Sequence, residues 1–322
     1  MLLHSINYWR FVMIEINNLV KHYGTKKAVN DISFTVNDGE VLGFLGPNGA
    51  GKTTTMNIMT GYLSSTSGTV IVNGHDILEE PELAKKDIGY LPEQPPLYND
   101  MTVIEYLNFM CDLKKVRKND RKSMLSEIMD MVKINNVSDR LIGNLSKGYK
   151  QRVGIAQALV GDPKILILDE PTVGLDPGQV IEIRKLVKSL SSSHSIVISS
   201  HILSEIQAVC DRVVILNRGK VAAIDSIDGL SRRLSGTSKF LLTFRGSDSD
   251  ALAKIKMLSG IQDATVRRSE GEYHELEILV SNSTKTDPRE DIFFVMAKAG
   301  YPILEFRSLD PTLEEIFLSI TG

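Results

Sequence analysis

The sequence contains little cysteine and no long uncharged apolar run. Its 322 residues include two cysteines, Cys111 and Cys210, which lie far apart in the chain. Two thiols without metal-ligand spacing predict reduced core residues of a cytosolic protein, and they argue against a disulfide framework or a structural metal site. No stretch of 18 apolar residues occurs, so the sequence predicts no membrane span.

The chain also lacks an excess of charge of either sign. Lys and Arg total 37 and Asp and Glu total 40, for a net charge of −3. This balance does not suggest a nucleic-acid-binding surface over the whole protein. The length and an apolar fraction of 42% allow one large or two medium globular domains.

Residues 1–12 lack the features of a cleavable signal. Trp9 and Arg10 interrupt a mildly apolar stretch, and no small-residue cleavage site follows. A strand-like segment begins at Met13. We therefore expect residues 1–12 to be an N-terminal appendage that is poorly ordered or packs only peripherally.

A glycine-rich loop lies between a predicted strand, Val41–Leu45, and a predicted helix that starts near Gly51. Its G-x-x-x-x-G-K-[ST] pattern is typical of loops whose backbone N–H groups bind phosphates, and the helix N-terminus adds partial positive charge. We expect Lys52 to reach the β- and γ-phosphates of a nucleotide, and the Thr53 hydroxyl to ligate Mg²⁺. The loop residues are Gly46, Pro47, Asn48, Gly49, Ala50, Gly51, Lys52 and Thr53.

Two adjacent carboxylates, Asp169 and Glu170, follow the aliphatic run Ile165–Leu168. Four consecutive aliphatic residues predict a strand buried on both faces of a parallel sheet. Open α/β sheets bind ligands at the carboxyl ends of such strands. Carboxylates in that position are costly unless they meet a cation or a proton. We interpret the pair as partners of a magnesium nucleotide.

Three further polar positions are candidates. His201 follows the predicted strand Ser195–Ser199, which favours a role in the same catalytic site. Tyr23 can stack on a purine ring, or it can be a surface aromatic that flanks a turn. Ser146, in the segment LSKGYKQR, by itself predicts only the start of a helix.

The C-terminal part, residues 239–322, follows a predicted helical linker at residues 226–238. Its pattern predicts the order β-α-β-β-α-β, a small α+β ferredoxin-like domain, and then a final helix over Leu313–Ile320. This part has no glycine-rich phosphate loop and no carboxylate pair at a strand end. We therefore expect an interaction domain or a stabilising domain.

Taken together, these motifs resemble those of ABC-transporter nucleotide-binding subunits over residues 13–225. The phosphate loop, LSKGYKQR, ILILDEP, GLDP and SSH occur in the order and spacing of that family. The resemblance implies an α/β P-loop NTPase of the ABC ATPase fold: a mixed sheet core plus a helical subdomain at about residues 95–150. LSKGYKQR, YLPE and the terminal PTLEEIFLSITG are similar to the ABC-2 export group.

The resemblance implies a role for each matching residue. Glu170 would be the general base, and His201 would contact the γ-phosphate; with Lys52 they form the expected catalytic set. Thr53 and Asp169 would hold Mg²⁺. Ser146 and Gly148 would contact ATP held by a second subunit, and Asp176 would lie at the dimer interface. The expected ATP-binding residues are Tyr23, residues 46–54 from Gly46 to Thr54, Glu93 and Gln94.

Two motifs depart from the family pattern. In the signature, Lys147 replaces the usual glycine and Tyr149 the usual glutamine; Lys147 can add positive charge near a phosphate or point to solvent. Glu93 stands where a glutamine is usual, with Gln94 next to it, so either residue can approach the metal and the water.

The resemblance also implies partners: ATP with Mg²⁺, a homodimer or a paired ATPase subunit, and a separate membrane permease. We expect no nucleic acid, and a cytoplasmic location peripheral to the inner face of the membrane.

The alternative is a soluble ABC ATPase acting on nucleic acid or the ribosome, but a second cassette and a long coiled-coil insertion are missing. A P-loop kinase or GTPase-like switch would not need LSKGYKQR upstream of ILILDEP.

Overall fold

The structure is a computed structural model that describes residues 11–227, 229–230, 237–281, 288–309, 315 and 317. The chain divides between Ser226 and Ile227 into two compact units. Most of the predicted N-terminal appendage lies outside the described residues. Val12, which we had assigned to that appendage, is the first residue of the first strand, so the strand begins earlier than predicted.

The first unit alternates strands and helices. Its strands are β1 Val12–Tyr23, β2 Lys26–Asn37, β3 Val41–Leu45, β4 Ser67–Val72, β5 His75–Asp76, β6 Ile88–Leu91, β7 Ile165–Leu168, β8 Ser195–Ser200, β9 Arg212–Asn217 and β10 Lys220–Ser226. Its α-helices are α1 Lys52–Met59, α2 Pro81–Lys86, α3 Val103–Leu113, α4 Lys118–Met131, α5 Lys147–Leu159, α6 Pro177–Leu190 and α7 Leu203–Val209.

Two sheets form the core of the first unit. The antiparallel sheet has the strand order β2-β1-β4-β5, and the mixed sheet has the order β10-β9-β3-β8-β7-β6. In the mixed sheet β10 pairs antiparallel with β9, and the other neighbours are parallel. Strands β3, β7 and β8 are buried along their whole length, as their aliphatic sequences predict. Phe34 and Phe44, one from each sheet, have ring centroids 5.1 Å apart, so the apolar core lies between the sheets.

The segment between β6 and β7 is helical, as the resemblance implies. A capping box of Thr102 and Glu105 begins α3, and two short 3-10 turns follow α4 at Asn135–Val137 and Ile142–Asn144. Helix α5 packs closely against β6. A Cβ on Gly89 would lie 2.0 Å from the Ala158 carbonyl oxygen, so these backbones touch without an intervening side chain.

The second unit contains a four-stranded antiparallel sheet in the order β12-β13-β11-β14. The succession of strands and helices is the one predicted, while the ferredoxin-like assignment stays a prediction. The predicted linker is shorter than expected, because Thr237 already belongs to a strand. Apart from residues 315 and 317, the predicted final helix lies outside the described residues. The elements are β11 Thr237–Arg245, α8 Asp248–Lys256, β12 Ile261–Glu270, β13 Tyr273–Ser281, α9 Pro288–Lys298 and β14 Ile303–Ser308.

Both cysteines are free and buried, as expected. Among the described helices, none is both long and apolar enough to span a bilayer.

Candidate functional site

The candidate site lies at the carboxyl ends of β3, β7 and β8. These three strands are parallel neighbours, with Leu45 beside Ser200 and Leu168 beside Ile198. Each strand is followed at once by a predicted site residue. The sheet therefore brings the phosphate loop, the carboxylate pair and His201 to one edge, where α/β sheets bind ligands.

The phosphate loop needs its glycines for both conformation and space. Gly49 has φ 78°, and Gly51, which precedes the first residue of α1, has φ 106°. A Cβ on Gly51 would lie 2.6 Å from the Ala28 carbonyl oxygen, and one on Gly46 would lie 2.5 Å from that of Leu216. The loop therefore lies close against neighbouring backbone, and its own backbone is free to face a ligand.

The loop borders an open cleft of about 430 Å³. All predicted loop residues from Pro47 to Thr54 line it, and Gly46 precedes them. Tyr23 lies at the cleft and is half exposed. The other lining residues are Lys26, Ala28, Glu93, Glu170, Val173 and His201.

Lys52 is buried beside three carboxylates. Its Nζ donates a hydrogen bond to the Gly46 carbonyl oxygen at 2.6 Å. Burial lowers the pKa of Lys52, and the negative charges of Glu170, Asp169 and Glu93 raise it in opposition. The ammonium group thus lies within the field of Glu170, Asp169 and Glu93, the acidic residues predicted to lie beside the nucleotide.

The adjacent carboxylates are held by different hydrogen bonds. Ser199 Oγ donates to Asp169 Oδ1 at 2.5 Å and accepts the Glu170 backbone N–H at 2.8 Å. The buried Asp169 Oδ2 has no hydrogen-bond partner among the described residues. Glu170 has φ 48°, which is uncommon for a residue other than glycine, and its Oε2 lies 2.8 Å from His201 Nδ1. One serine therefore fixes both members of the pair.

A second cavity, of about 530 Å³, adjoins the cleft. Thr53 and Asp169 both line it, together with Glu93 and Gln94. Glu93 lines this cavity and the cleft, whereas Gln94 does not line the cleft. Of these two neighbours, Glu93 therefore borders the cleft that the phosphate loop lines, and Gln94 borders the adjoining cavity.

The three residues expected to act on the ATP or at the interface of a second subunit line neither the cleft nor the adjoining cavity. Ser146 accepts the Tyr149 N–H at the start of α5, and Asp176 accepts the Gln179 N–H at the start of α6. Gly148 is buried against Gln179, because a Cβ there would lie 2.4 Å from Oε1. Within one chain these residues cap and pack helices.

Sequence reasoning missed the part played by the polar residues beyond Asp169 and Glu170. Ser199 was noted only as the end of a strand, and its bridging role depends on the pairing of β7 with β8. A second buried network was also missed: Glu205 Oε2 accepts hydrogen bonds from Thr172 Oγ1 at 2.5 Å and from Ser200 Oγ at 2.9 Å. The available signal was a pair of serines that ends an aliphatic strand.

Sequence comparisons identify relatives along nearly the whole chain. A family model described as "ABC transporter" matches residues 29–173. The linearmycin resistance ATP-binding protein LnrL of Bacillus subtilis is 34% identical over 314 residues, which cover 96% of this chain and 98% of that protein. The bacitracin transport ATP-binding protein BcrA of Bacillus licheniformis is 33% identical over 313 residues, covering 96% and 97%.

Solved structures of ABC cassettes match about two thirds of the chain. An ATP-binding subunit of an ABC transporter is 29% identical with a TM-score of 0.64, covering 69% of this chain and 93% of that one. A dimeric ATP-binding cassette in a post-hydrolysis state with ADP and Pi is 25% identical with a TM-score of 0.61, covering 66% and 98%.

The relatives decide between the two interpretations of the sequence. LnrL and BcrA are named for resistance and transport, so the comparisons support an ABC ATPase of a transporter and not the nucleic-acid alternative. The matching cassettes include one bound to hydrolysis products. The chain belongs to the family of ABC transporter ATP-binding proteins, and it is an ATPase.

Proposed function

We propose that this ATPase energises an ABC-2 type exporter, as one of two ATP-binding subunits attached to a separate membrane permease. One observation carries the proposal. The cleft contains the phosphate loop, Glu170 and His201, whereas Ser146, Gly148 and Asp176 lie outside it. A second copy that supplies those three residues would complete the site. The relatives named for linearmycin resistance and bacitracin transport align over 96% of this chain, which supports the assignment to an exporter.

The phosphates of ATP would bind along residues 46–54. Backbone N–H groups, the N-terminus of α1 and the Lys52 ammonium all present positive charge there. Lys52 would exchange its hydrogen bond to the Gly46 carbonyl for phosphate oxygens. The half-exposed ring of Tyr23 at the cleft would stack on the adenine.

The polar groups beside the loop fit Mg²⁺. Asp169 Oδ2 is a buried acceptor without a partner among the described residues, and Thr53 lines the same cavity. No described group of three or more His, Cys, Asp and Glu side chains could hold a metal. Thr53 and Asp169 would therefore share the ion with phosphate oxygens and water, and the ion would supply positive charge at the phosphates.

Glu170 would act as the general base for the attacking water. Its backbone is held by Ser199, and its carboxylate by His201, so the free carboxylate oxygen has a defined position. His201 is half exposed and would contact the γ-phosphate. Glu93, which lies between the cleft and the adjoining cavity, would sense the nucleotide, with Gln94 as the alternative.

ATP binding would close two copies over two nucleotides, and hydrolysis would reopen them. Closure of this kind is a ligand-driven shift between two populated states. The partner can be a second copy or a paired ATPase subunit. Because the permease carries the substrate path, the chain would lie on the cytoplasmic face of the membrane and bind no nucleic acid.

Glu170→Gln tests the proposed base and the dimer together. We expect the variant to bind ATP but to hydrolyse it about 10²–10⁴-fold more slowly, because general-base catalysis contributes that much. With ATP and Mg²⁺ it should elute from size-exclusion chromatography as a dimer. Glu127→Gln, at an exposed position on α4, is the matched control and should behave like the parent.

Either of two results would contradict the proposal. Parental turnover by Glu170→Gln would exclude Glu170 as the base. A variant that retains ATP but stays monomeric would exclude the shared site. Co-purification of a multi-span membrane protein tests the exporter assignment, whereas salt-sensitive binding to DNA or ribosomes would contradict it.

A further inference from the structure

A further cavity, of about 460 Å³, lies beside the first turn of α5. Two lysines of that turn, Lys147 and Lys150, line it from positions three residues apart, on the same side of the helix. The opposite wall is the extended loop after β6. The other lining residues are Glu93, Gln94, Pro95, Leu97, Asn99, Gln151 and Val173.

The two ammonium groups have no anionic partner within the described chain. Neither Lys147 Nζ nor Lys150 Nζ has a hydrogen bond or an ion pair among the described residues. Lys147 Nζ lies against Gly174, since a Cβ on that glycine would be 2.0 Å away. Glu93 is the single acidic residue in the lining. With two lysines and one glutamate, the cavity wall therefore carries a net positive charge.

Gln151 gives an independent sign of a missing ligand. It lines the same cavity and is 3% exposed, and its buried Nε2 has no hydrogen-bond partner among the described residues. A buried amide donor without an acceptor is costly, and native structures seldom keep one without a bound partner. Two lysines and one unpaired N–H donor together form a set suited to an oxyanion.

The cavity is continuous with the ATP cleft. Glu93 and Val173 line both, and Val173 follows Glu170 by three residues. A tetrahedral anion leaving the γ-phosphate position would pass Glu93 and Val173 and enter the cavity of Lys147, Lys150 and Gln151.

We propose that this cavity is a second anion site, which holds the inorganic phosphate released by ATP hydrolysis. It would bind the product within the same chain, before the product reaches solvent. The proposal depends on the ATPase activity of the family and not on the proposed dimer. The proposal also gives Lys147 a role, because its positive charge would bind a phosphate in the cavity beside the cleft.

The first experiment measures product inhibition and phosphate release. Steady-state ATPase assays at fixed ionic strength are run against added inorganic phosphate, and release is followed in a single turnover with a fluorescent phosphate sensor. We expect phosphate to inhibit the parent without full competition with ATP. In Lys147→Ala/Lys150→Ala we expect the inhibition constant to rise about tenfold or more and release to accelerate, because two charge-assisted hydrogen bonds are lost.

The matched control is Lys118→Ala/Lys122→Ala, which removes the same charge from exposed lysines at the start of α4. It should keep the parental inhibition constant and release rate. An equal shift in both double variants would show a general charge effect and would overturn the site.

A second experiment separates this site from the γ-phosphate of ATP held by another copy. Inorganic phosphate is titrated calorimetrically into nucleotide-free monomer, with light scattering to verify the monomer. Binding that weakens in Lys147→Ala/Lys150→Ala supports the proposal. A rise in KM for ATP with unchanged phosphate binding would assign the lysines to ATP in the second copy and overturn it.

Gln151→Leu distinguishes a ligand site from a structural role. Removing a buried donor that has no partner should leave the thermal unfolding temperature unchanged or raise it. Phosphate binding should nevertheless weaken. A variant that loses stability and keeps phosphate affinity would show that Gln151 is structural, and that outcome would contradict its place in the site.

Discussion

The two units place their polar side chains differently. The first unit buries a concentrated set of charged and hydroxyl groups at the ends of parallel strands. In the described part of the second unit, His274 is the one polar residue that is buried as a whole, with Nδ1 2.8 Å from Ser269 Oγ, and the hydroxyl oxygen of Thr243 is also buried. The members of this set around the cleft are Lys52, Asp169, Glu170, Thr172, Ser199, Ser200 and Glu205, and the first unit also buries Glu40, Thr55, Gln151, Arg152, Gln157, His194 and Ser195.

This difference indicates that catalysis determines the buried residues around the cleft of the first unit, and that packing determines those of the second unit. Burying a charged group lowers the free energy of unfolding unless the group is paired. The first unit nevertheless buries charged groups around its cleft. The second unit instead packs an apolar face of its sheet against two helices, with Leu242, Phe244 and Ile278 fully buried. We expect substitutions of the charged cleft residues of the first unit to alter turnover more than stability, and substitutions in the apolar core of the second unit to do the opposite.

The largest expected effect is that of Lys52→Met on ATP binding and hydrolysis. We expect a loss of a hundredfold or more, because no other described side chain brings a buried positive charge to the cleft. Stability should change by about 1 kcal/mol or less, since the lost hydrogen bond is offset by relief of desolvation. Nucleotide titration and thermal unfolding of the same sample test both statements.

Lys26→Met is the control for that variant, because Lys26 also lines the cleft but is exposed. It should lose only a small part of the ATP affinity. If the two variants lose ATP affinity equally, the place of Lys52 in the phosphate loop gives it no larger part in ATP binding than Lys26 has.

Leu242→Ala should show the reverse behaviour. Truncating a fully buried leucine typically costs about 2–5 kcal/mol of unfolding free energy. ATP affinity should be unchanged under conditions in which both units are folded. Chemical denaturation monitored beside ATP binding tests this, with exposed Arg267→Ala as the control. A large loss of ATP affinity in Leu242→Ala would contradict the expectation that the second unit contributes to stability and not to ATP binding.

Ser199→Ala should reduce kcat about tenfold to a hundredfold, with a smaller effect on KM. The substitution leaves Asp169 Oδ1 and the Glu170 N–H without their partner, and hydrogen bonds to charged groups contribute about 1.5–3 kcal/mol. Ser200→Ala also breaks a buried hydrogen bond, to Glu205, and should affect stability more than kcat. If both variants slow turnover alike, Ser199 has no special link to the carboxylate pair.

The smallest expected effect concerns pH. Burial disfavours the charged form of Lys52, so its pKa lies below the usual 10.5. As pH rises, the positive charge is therefore lost earlier than on a solvent-exposed lysine, and ATP affinity should begin to fall below pH 10.5. Affinity measured across alkaline pH tests this, and a flat profile up to pH 10.5 would contradict it.

Local features of the sequence were enough to predict the phosphate loop and the strand-end carboxylates. Glycine spacing, aliphatic runs and the following Lys52 or Asp169 are all encoded within a few residues. The order of elements in the second unit also followed from local alternation. Ser199 could not be assigned in the same way, because its role depends on the pairing of strands far apart in the chain.

Choices between neighbours were also beyond the sequence. Glu93 and Gln94 are adjacent in the loop, and only the path of the backbone after β6 decides which of them borders the cleft. The short helix α7 was missed, because the seven residues Leu203–Val209 are too few to give a clear helical period. The contact of Lys147 with Gly174 joins the first turn of α5 to the turn that follows β7, and no local pattern encodes it.

The glycines between β6 and α5 have a mechanical consequence. Gly89 brings the strand against the Ala158 carbonyl, and a Cβ on Gly154 would lie 2.7 Å from the Leu91 side chain and 2.9 Å from that of Pro95. At Gly89 no side chain separates the strand from the helix, and at Gly154 the helix backbone packs directly on the Leu91 and Pro95 side chains. We therefore expect a tilt of α5 at its Ser146 end to displace the loop of Glu93 as well.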